Sequence, residues 1–543
     1  MKKILLAILV MIAVVVQGTA QDINHAFFQK VSYVGAFDGV NDWTEGWANW
    51  DPVNTNYGTP TVTKGNGQFT RAGGVHITAN ETWSGLVKLD GWVYVDAGAT
   101  LTILPGTVIR ATNKSVLSIE RGGKIMAAGT KTQPIVFTSL QGPGFRANSD
   151  WGGLVINGYG VNNLPGGTGV AEGGIGSEHG GNNNEDNSGV LTFVRIEFPG
   201  YEVATGNEVN GLTLNSVGSG TRIEYVQVSY SGDDGFEWFG GAVNVKYLIS
   251  FKTEDDDFDT DNGYSGMVQF GLILRDPSIV DTDTANAFES DNNSSGTELT
   301  PLTRAIFSNI SAFGASKDQA TWTGNPQNHK DGAAMRIRRA SRLSIYNSLF
   351  LGWGKGVRLE SSFTHNAAVS GELAVKNNIL GGIYGKKYGD AAVMTDAEVE
   401  SWFLAASRKN RMLGSDAEAK IADPFNLASP KFQPQAGSPV FNASCWVMTG
   451  SRGIALDNPV VSLRNYPNPF SGCTQIEIKV TRETTGSLMV YNMSGAVVAT
   501  LYSGELHGGA HIFTFESGNL PKGMYLVRMI TGQESKTLKI VAQ

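Results

Sequence analysis

Cysteine is nearly absent: the 543 residues include two, Cys445 and Cys473. That excludes a disulfide framework and a cysteine-built zinc site, and leaves a single pairing open in an oxidising compartment. Proline is scarce, 18 in all, and glycine follows no triplet period, which excludes collagen. Charged residues make up only 17%, against 41% hydrophobic and 10% aromatic. That balance is the reverse of a disordered chain and unlike a coiled coil. The 42 basic and 50 acidic side chains leave a net charge of −8. No basic footprint for nucleic acid is present, and the charge predicts solubility rather than a partner. After the first twenty residues no apolar run approaches the ~18 residues of a membrane-spanning helix. What the chain has in excess is glycine, 68 residues, in a turn-rich β texture.

Lys2 and Lys3, the apolar residues 4–16 and the small trio Gly18-Thr19-Ala20 predict a signal peptide over residues 1–20. Residues 21–73 are rich in Trp, Asn and Asp without helical period, and read as an irregular N-terminal cap or lead-in segment. From 74 to 454 short apolar runs alternate with Gly, Asn and Asp, as in a solenoid whose coils each supply a few short strands. A step of 22 residues relates SGDDGFEWF to EDDDFDTDN: Phe236 falls on Phe258, and Val226, Leu248 and Phe270 continue the step. Phe288 repeats the role after a loop, and Met335 and Val357 are again 22 apart. Such a period predicts an all-β, parallel β-helix. Asn309, Asn347 and Asn378 recur at strand edges, either as a stacked amide ladder or as ordinary turn residues. Residues 395–413 have the start signal and spacing of one helix, 455–462 form a linker, and 463–543 read as a small antiparallel sandwich.

The same step stacks acids: Asp233 on Asp255, Asp234 on Asp256, Glu237 on Asp259, with Glu289 joining the last column. Carboxylates on coils ~4.8 Å apart repel by about 3–4 kcal/mol at an effective dielectric of 20. Three readings stay open. Hard oxygen donors at Asp233, Asp234, Glu237, Asp255, Asp256 and Asp259 suit calcium. Paired carboxyls among Asp234, Asp256, Glu237 and Asp259 suit a glycoside hydrolase or lyase. The stack also reads simply as hydrated Asp-Gly turns. Farther along, Arg336 and Arg358 fall in the same column, with Arg338 and Arg339 nearby, so an acidic stripe is expected to run into a basic one, a groove suited to a sugar chain.

HExxH, GxSxG and P-loop motifs are missing, and the glycine-rich stretch 173–189 lacks the strand–helix setting of a nucleotide site. His179 and His329 read as isolated, exposed loop residues. Trp43, Trp83, Trp151, Trp238, Trp322 and Trp353 read as core or coil-capping residues ahead of sugar platforms.

Residues 463–543 resemble the C-terminal sorting domain of the type IX secretion system. The matching features are Tyr466-Pro467-Asn468-Pro469-Phe470, Tyr491 to Gly495 and the Gly523-Met524-Tyr525 stretch. The resemblance implies an Ig-like sandwich, handling by the type IX machinery of a Bacteroidetes-type bacterium, and release or attachment to surface lipopolysaccharide. GGNNNEDNSGVLTFVRIEF, GNEVNGLTLNSVGSGTRIEYVQV and DDGFEWFGGAVNVKYL resemble secreted right-handed β-helix proteins of such bacteria. The multidrug-transporter label some of them carry finds no membrane-spanning helix in this sequence. Together these features predict an exported protein that binds polysaccharide or serves as a surface or adhesion component. The alternative is a carbohydrate-active enzyme.

Overall fold

The computed structural model describes residues 23–446 and 460–543, apart from 205–206, 282–283, 316–325, 390–393, 481–482, 494, 519 and 532–533. The expected signal peptide and Trp322 lie outside the described residues. The chain divides into two units, Met1–Val447 and Met448–Gln543.

The first unit is a right-handed parallel β-helix. Its ten-stranded sheet takes one short strand from each coil in chain order, from Val75–Ile77 through Phe236–Phe239, Phe258–Asp261 and Phe288–Ser290 to Lys355–Leu359. A larger sheet wraps the other sides. Side chains alternate across each strand, so every second residue enters the interior. Phe236, Phe258 and Phe288 stack there fully buried, with centroids 5.7 and 5.5 Å apart. Trp83, Trp151, Trp238 and Trp353 are also buried. Glycine is required where coils touch. Gly189 has φ +118°, and a Cβ there would lie 1.9 Å from the Ile125 carbonyl.

The 22-residue step holds on the ten-stranded sheet, where Phe236 pairs with Phe258 and Phe258 with Phe288. On the larger sheet it slips: Leu248 pairs with Gly271, not Phe270, because that coil is one residue longer. The residues bending the long strands have left-handed φ: Phe193, Tyr225, Tyr247, Phe270 and Asn309. Their first four rings stack at 4.4, 4.3 and 5.1 Å. Of the two readings of Asn309, Asn347 and Asn378, the stacked ladder does not form. Asn309 donates to the carbonyls of Tyr33 and Gly35, and Asn347 donates to Ser308 Oγ. Asn377, not Asn378, has the left-handed φ; Asn378 turns inward and accepts from the Ser348 amide.

Of the two readings of the N-terminal segment, the structure departs from the end cap. It runs along the flank of the solenoid from later coils toward the first. Phe28 packs with Ile306 and Tyr346, Trp43 meets Tyr247, Trp47 meets Phe193 and Tyr225, and Tyr57 donates to Glu197. It ends as a strand, Val62–Gly65, paired with Leu86–Asp90. Indole and phenyl rings reach the apolar stack there, which an end cap would leave bare. The helix expected over 395–413 is shorter, Asp396–Phe403, opened by a Thr395–Glu398 capping box. Arg411–Met412 is already back in the sheet, where Met412 packs against the interior.

The second unit is a sandwich of a three-stranded and a four-stranded antiparallel sheet around Phe470, Ile476, Val490, Phe515 and Tyr525. Its first strand, Val460–Tyr466, begins inside the expected linker, because pairing with Cys473–Val480 starts at Val460. Cys445 and Cys473 are both free thiols.

Candidate functional site

Two neighbouring columns on the ten-stranded sheet build the site. The outward column reads Thr213, Glu237, Asp259, Glu289, Arg336, Arg358, one residue per coil. The expected change from acid to base therefore lies on one face. The second column sits in the turn before each strand. Asp234 Oδ1 accepts from the Asp256 amide at 2.9 Å, Asp256 Oδ1 from the Asn286 amide, and Asn286 Oδ1 from the Ala333 amide at 2.9 Å. Each side chain thus caps the backbone of the next coil, which fixes its position. Gly235 beside Asp234 leaves room for this: a Cβ there would come within 2.7 Å of Ser250 Oγ.

The carboxylates converge. Ligand oxygens of Asp233, Asp234 and Asp255 lie within 4.8 Å of one another, as do those of Asp234, Glu237 and Asp259, and those of Asp256, Asp259 and Glu289. All six acids singled out in the sequence, with Glu289, fall in this array. Burial, then repulsion from neighbouring carboxylates, pushes Asp234, Glu237, Asp255, Asp256 and Asp259 well above the carboxylate range; burial, then Glu208, pushes Asp233 up to about 8. Cations stand at one end: Arg336 Nη1 meets Glu289 at 2.8 Å, and Arg338 pairs with Glu289 and with Asp291 at 2.8 Å.

Beneath the array, Arg275 meets Asp257 at 2.8 Å, both almost fully buried. Arg275 also donates to the carbonyls of Thr253, Asp255 and Asn286. One guanidinium therefore ties the turn that carries Asp255 and Asp256 to the turn that carries Asn286. Two atoms point to a missing partner. Asp259 Oδ1 and the buried Asn210 Oδ1 accept no hydrogen bond among the described residues. Asn210 Nδ2 donates to Glu237 Oε2, which places its free oxygen beside that carboxylate. The donor set is all hard oxygen, as calcium requires.

Residues 73–422 match the pectate-lyase-like β-helix domain. The chain belongs to that family. In this pectate-lyase-like β-helix protein, residues 464–543 match the secretion-system C-terminal sorting domain, so it is an exported protein handled by the type IX machinery. No curated protein matches it. Among solved structures it is similar to the Dettilon tailspike protein gp208, at 10% identity and a TM-score of 0.26, over 85% of this chain and 82% of that one. It is also similar to the enzymatically active domain of bacteriophage CBA120 tailspike protein 4, at 8% identity and a TM-score of 0.24, over 89% and 63%.

In the sorting domain of the pectate-lyase-like protein, the motif residues staple the first strand to the last. Phe470 is buried, its amide donates to the Val541 carbonyl, and Asn468 Oδ1 accepts from the Val541 amide. Tyr466 and its neighbour Pro467 are exposed. Pro469 precedes the buried ring, Tyr491 lies in the strand Thr484–Tyr491, and Gly495 turns with φ +84°. Gly523 opens the strand that buries Tyr525, whose hydroxyl donates to the Pro521 carbonyl. Two histidines differ from expectation: His179 and His329 are 3% and 6% exposed. Sequence reasoning missed Asn210, since the coil from Leu212 to Phe236 is 24 residues long and breaks the 22-residue step.

Proposed function

We propose that this exported β-helix protein binds polysaccharide outside the cell through a divalent cation held by the acidic array. Calcium is the ion its oxygen donors suit. The observation that carries the reading is the set of three overlapping carboxylate triads, each within 4.8 Å, with Asp259 Oδ1 and Asn210 Oδ1 unpartnered beside them. Charges packed this closely and desolvated need protons or a cation. A cation held by Asp234, Glu237 and Asp259 would leave coordination positions for sugar hydroxyls or carboxylates. A glycan array read in calcium and in EDTA tests this. Wild type binds in calcium alone, and Asp256→Asn loses the signal; binding indifferent to both contradicts it.

One observation favours a second reading, glycosidic-bond cleavage. Carboxyls that hold their protons at neutral pH, such as Asp233 raised to about 8, lie within 4.8 Å of others, and Arg336 pairs with Glu289 of the same array. Release of reducing ends, abolished in Asp259→Asn, would support it; glycan binding without product would remove it.

A further inference from the structure

We infer that the protein carries a second glycan pocket, on the first three coils, that takes a neutral sugar without any cation. A cavity of about 480 Å³ opens there, within the size range of small-ligand sites. It lies on the same outward column as the acidic array. His76 pairs with Tyr94, Tyr94 with Ser118, and the column continues through Val155 and Thr213 to Glu237. The inference shares with the proposed function only the premise that the ligand is a glycan.

Every charge in this pocket is answered within it. Arg71 meets Glu120 at 2.7 Å, Arg121 meets Glu178 at 2.7 Å, and His76 Nδ1 meets Asp96 at 2.9 Å. His76 Nε2 faces the Arg71 carbonyl at 3.1 Å. A carbonyl only accepts, so Nε2 carries a proton, and the Asp96 carboxylate favours a second on Nδ1. The imidazolium is thereby balanced, like the guanidiniums. A pocket neutral in sum gives an ion little. It does present fixed donors beside fixed acceptors, which is what adjacent sugar hydroxyls, each donor and acceptor at once, require.

The frame is pre-organised. Glu120 Oε1 accepts from Ser118 at 2.8 Å and Ser177 at 2.6 Å, and the Arg71 guanidinium lies 4.8 Å above the Tyr94 ring. The Tyr159 ring at the rim is 38% exposed, with the Arg121 guanidinium 5.4 Å from its centroid. An exposed ring beside paired polar groups gives the apolar face of a pyranose a surface to pack on.

The test is calorimetric titration of the full chain with cellohexaose, xylohexaose, mannohexaose and maltohexaose in excess EDTA, where a cation-held site is silent. At least one binds wild type, and Tyr159→Ala and Glu178→Gln, both changes at exposed side chains, each weaken it tenfold or more. No binding by any of the four, or binding unchanged in both variants, overturns the inference. Calcium-dependent binding, tested separately, stands or falls on its own.

Discussion

His179 shows how one buried side chain sets a pH limit. Its Nδ1 meets Ser216 Oγ at 2.9 Å under the 158–188 insertion. Burial, and then the nearby Arg121 charge, lowers its pKa to about 4. The folded state therefore keeps it neutral while the unfolded chain takes a proton below about 6.5. More protons on the unfolded side mean that stability falls as pH drops from about 6.5 to about 4, by about 3 kcal/mol in total, and is flat with respect to this group outside that window. Urea unfolding at pH 7.5 and 4.5 checks this. His179→Asn, which keeps an acceptor for Ser216, should lose less stability between the two pH values than wild type. Equal losses would show that His179 protonates freely in the fold.

At the scale of elements, the N-terminal segment and the aromatic stack hold each other. Rings at Phe193, Tyr225, Tyr247 and Phe270 occupy left-handed backbone positions that non-glycine residues seldom take. Each costs about 1–3 kcal/mol of strain and persists only where its surroundings hold it in place. Trp43 and Trp47 are those surroundings, and Trp47 is 1% exposed. Trp47→Ala should cost about 3–5 kcal/mol, as for other buried aromatic truncations. Hydrogen exchange should quicken in residues 34–57 first, while the coil strands stay protected. An increase spread evenly over the coils would argue against this coupling.

That flank was not legible in the sequence. Residues 21–73 have no period, and nothing in them states which coils they cross. The coils themselves were legible wherever insertions are absent, because stacking fixes the residue count per turn: Phe236 to Phe258 and Arg336 to Arg358 are both 22 apart and both pair. The acidic array was readable for the same reason. Asn210 was not, since its coil is two residues longer. The pocket of Arg71, His76 and Tyr159 was not either, because an insertion brings together residues as far apart as Arg71 and Glu178.

Over the whole molecule, the net charge of −8 hides the distribution that matters. Seven carboxylates crowd three consecutive coils of one face, and the arginines begin on the next. A folded chain that carries this array gains stability from any ion that binds it and not the unfolded state, about 2.7 kcal/mol at a hundredfold excess over Kd. Calcium titration of the full chain by calorimetry decides whether the array holds a cation. Saturable binding is expected with Kd at or below about 1 mM, the range of extracellular calcium modules. That binding should be lost in the Asp256→Asn, Asp259→Asn double variant. No saturable heat with wild type, or the same isotherm with the double variant, would contradict it.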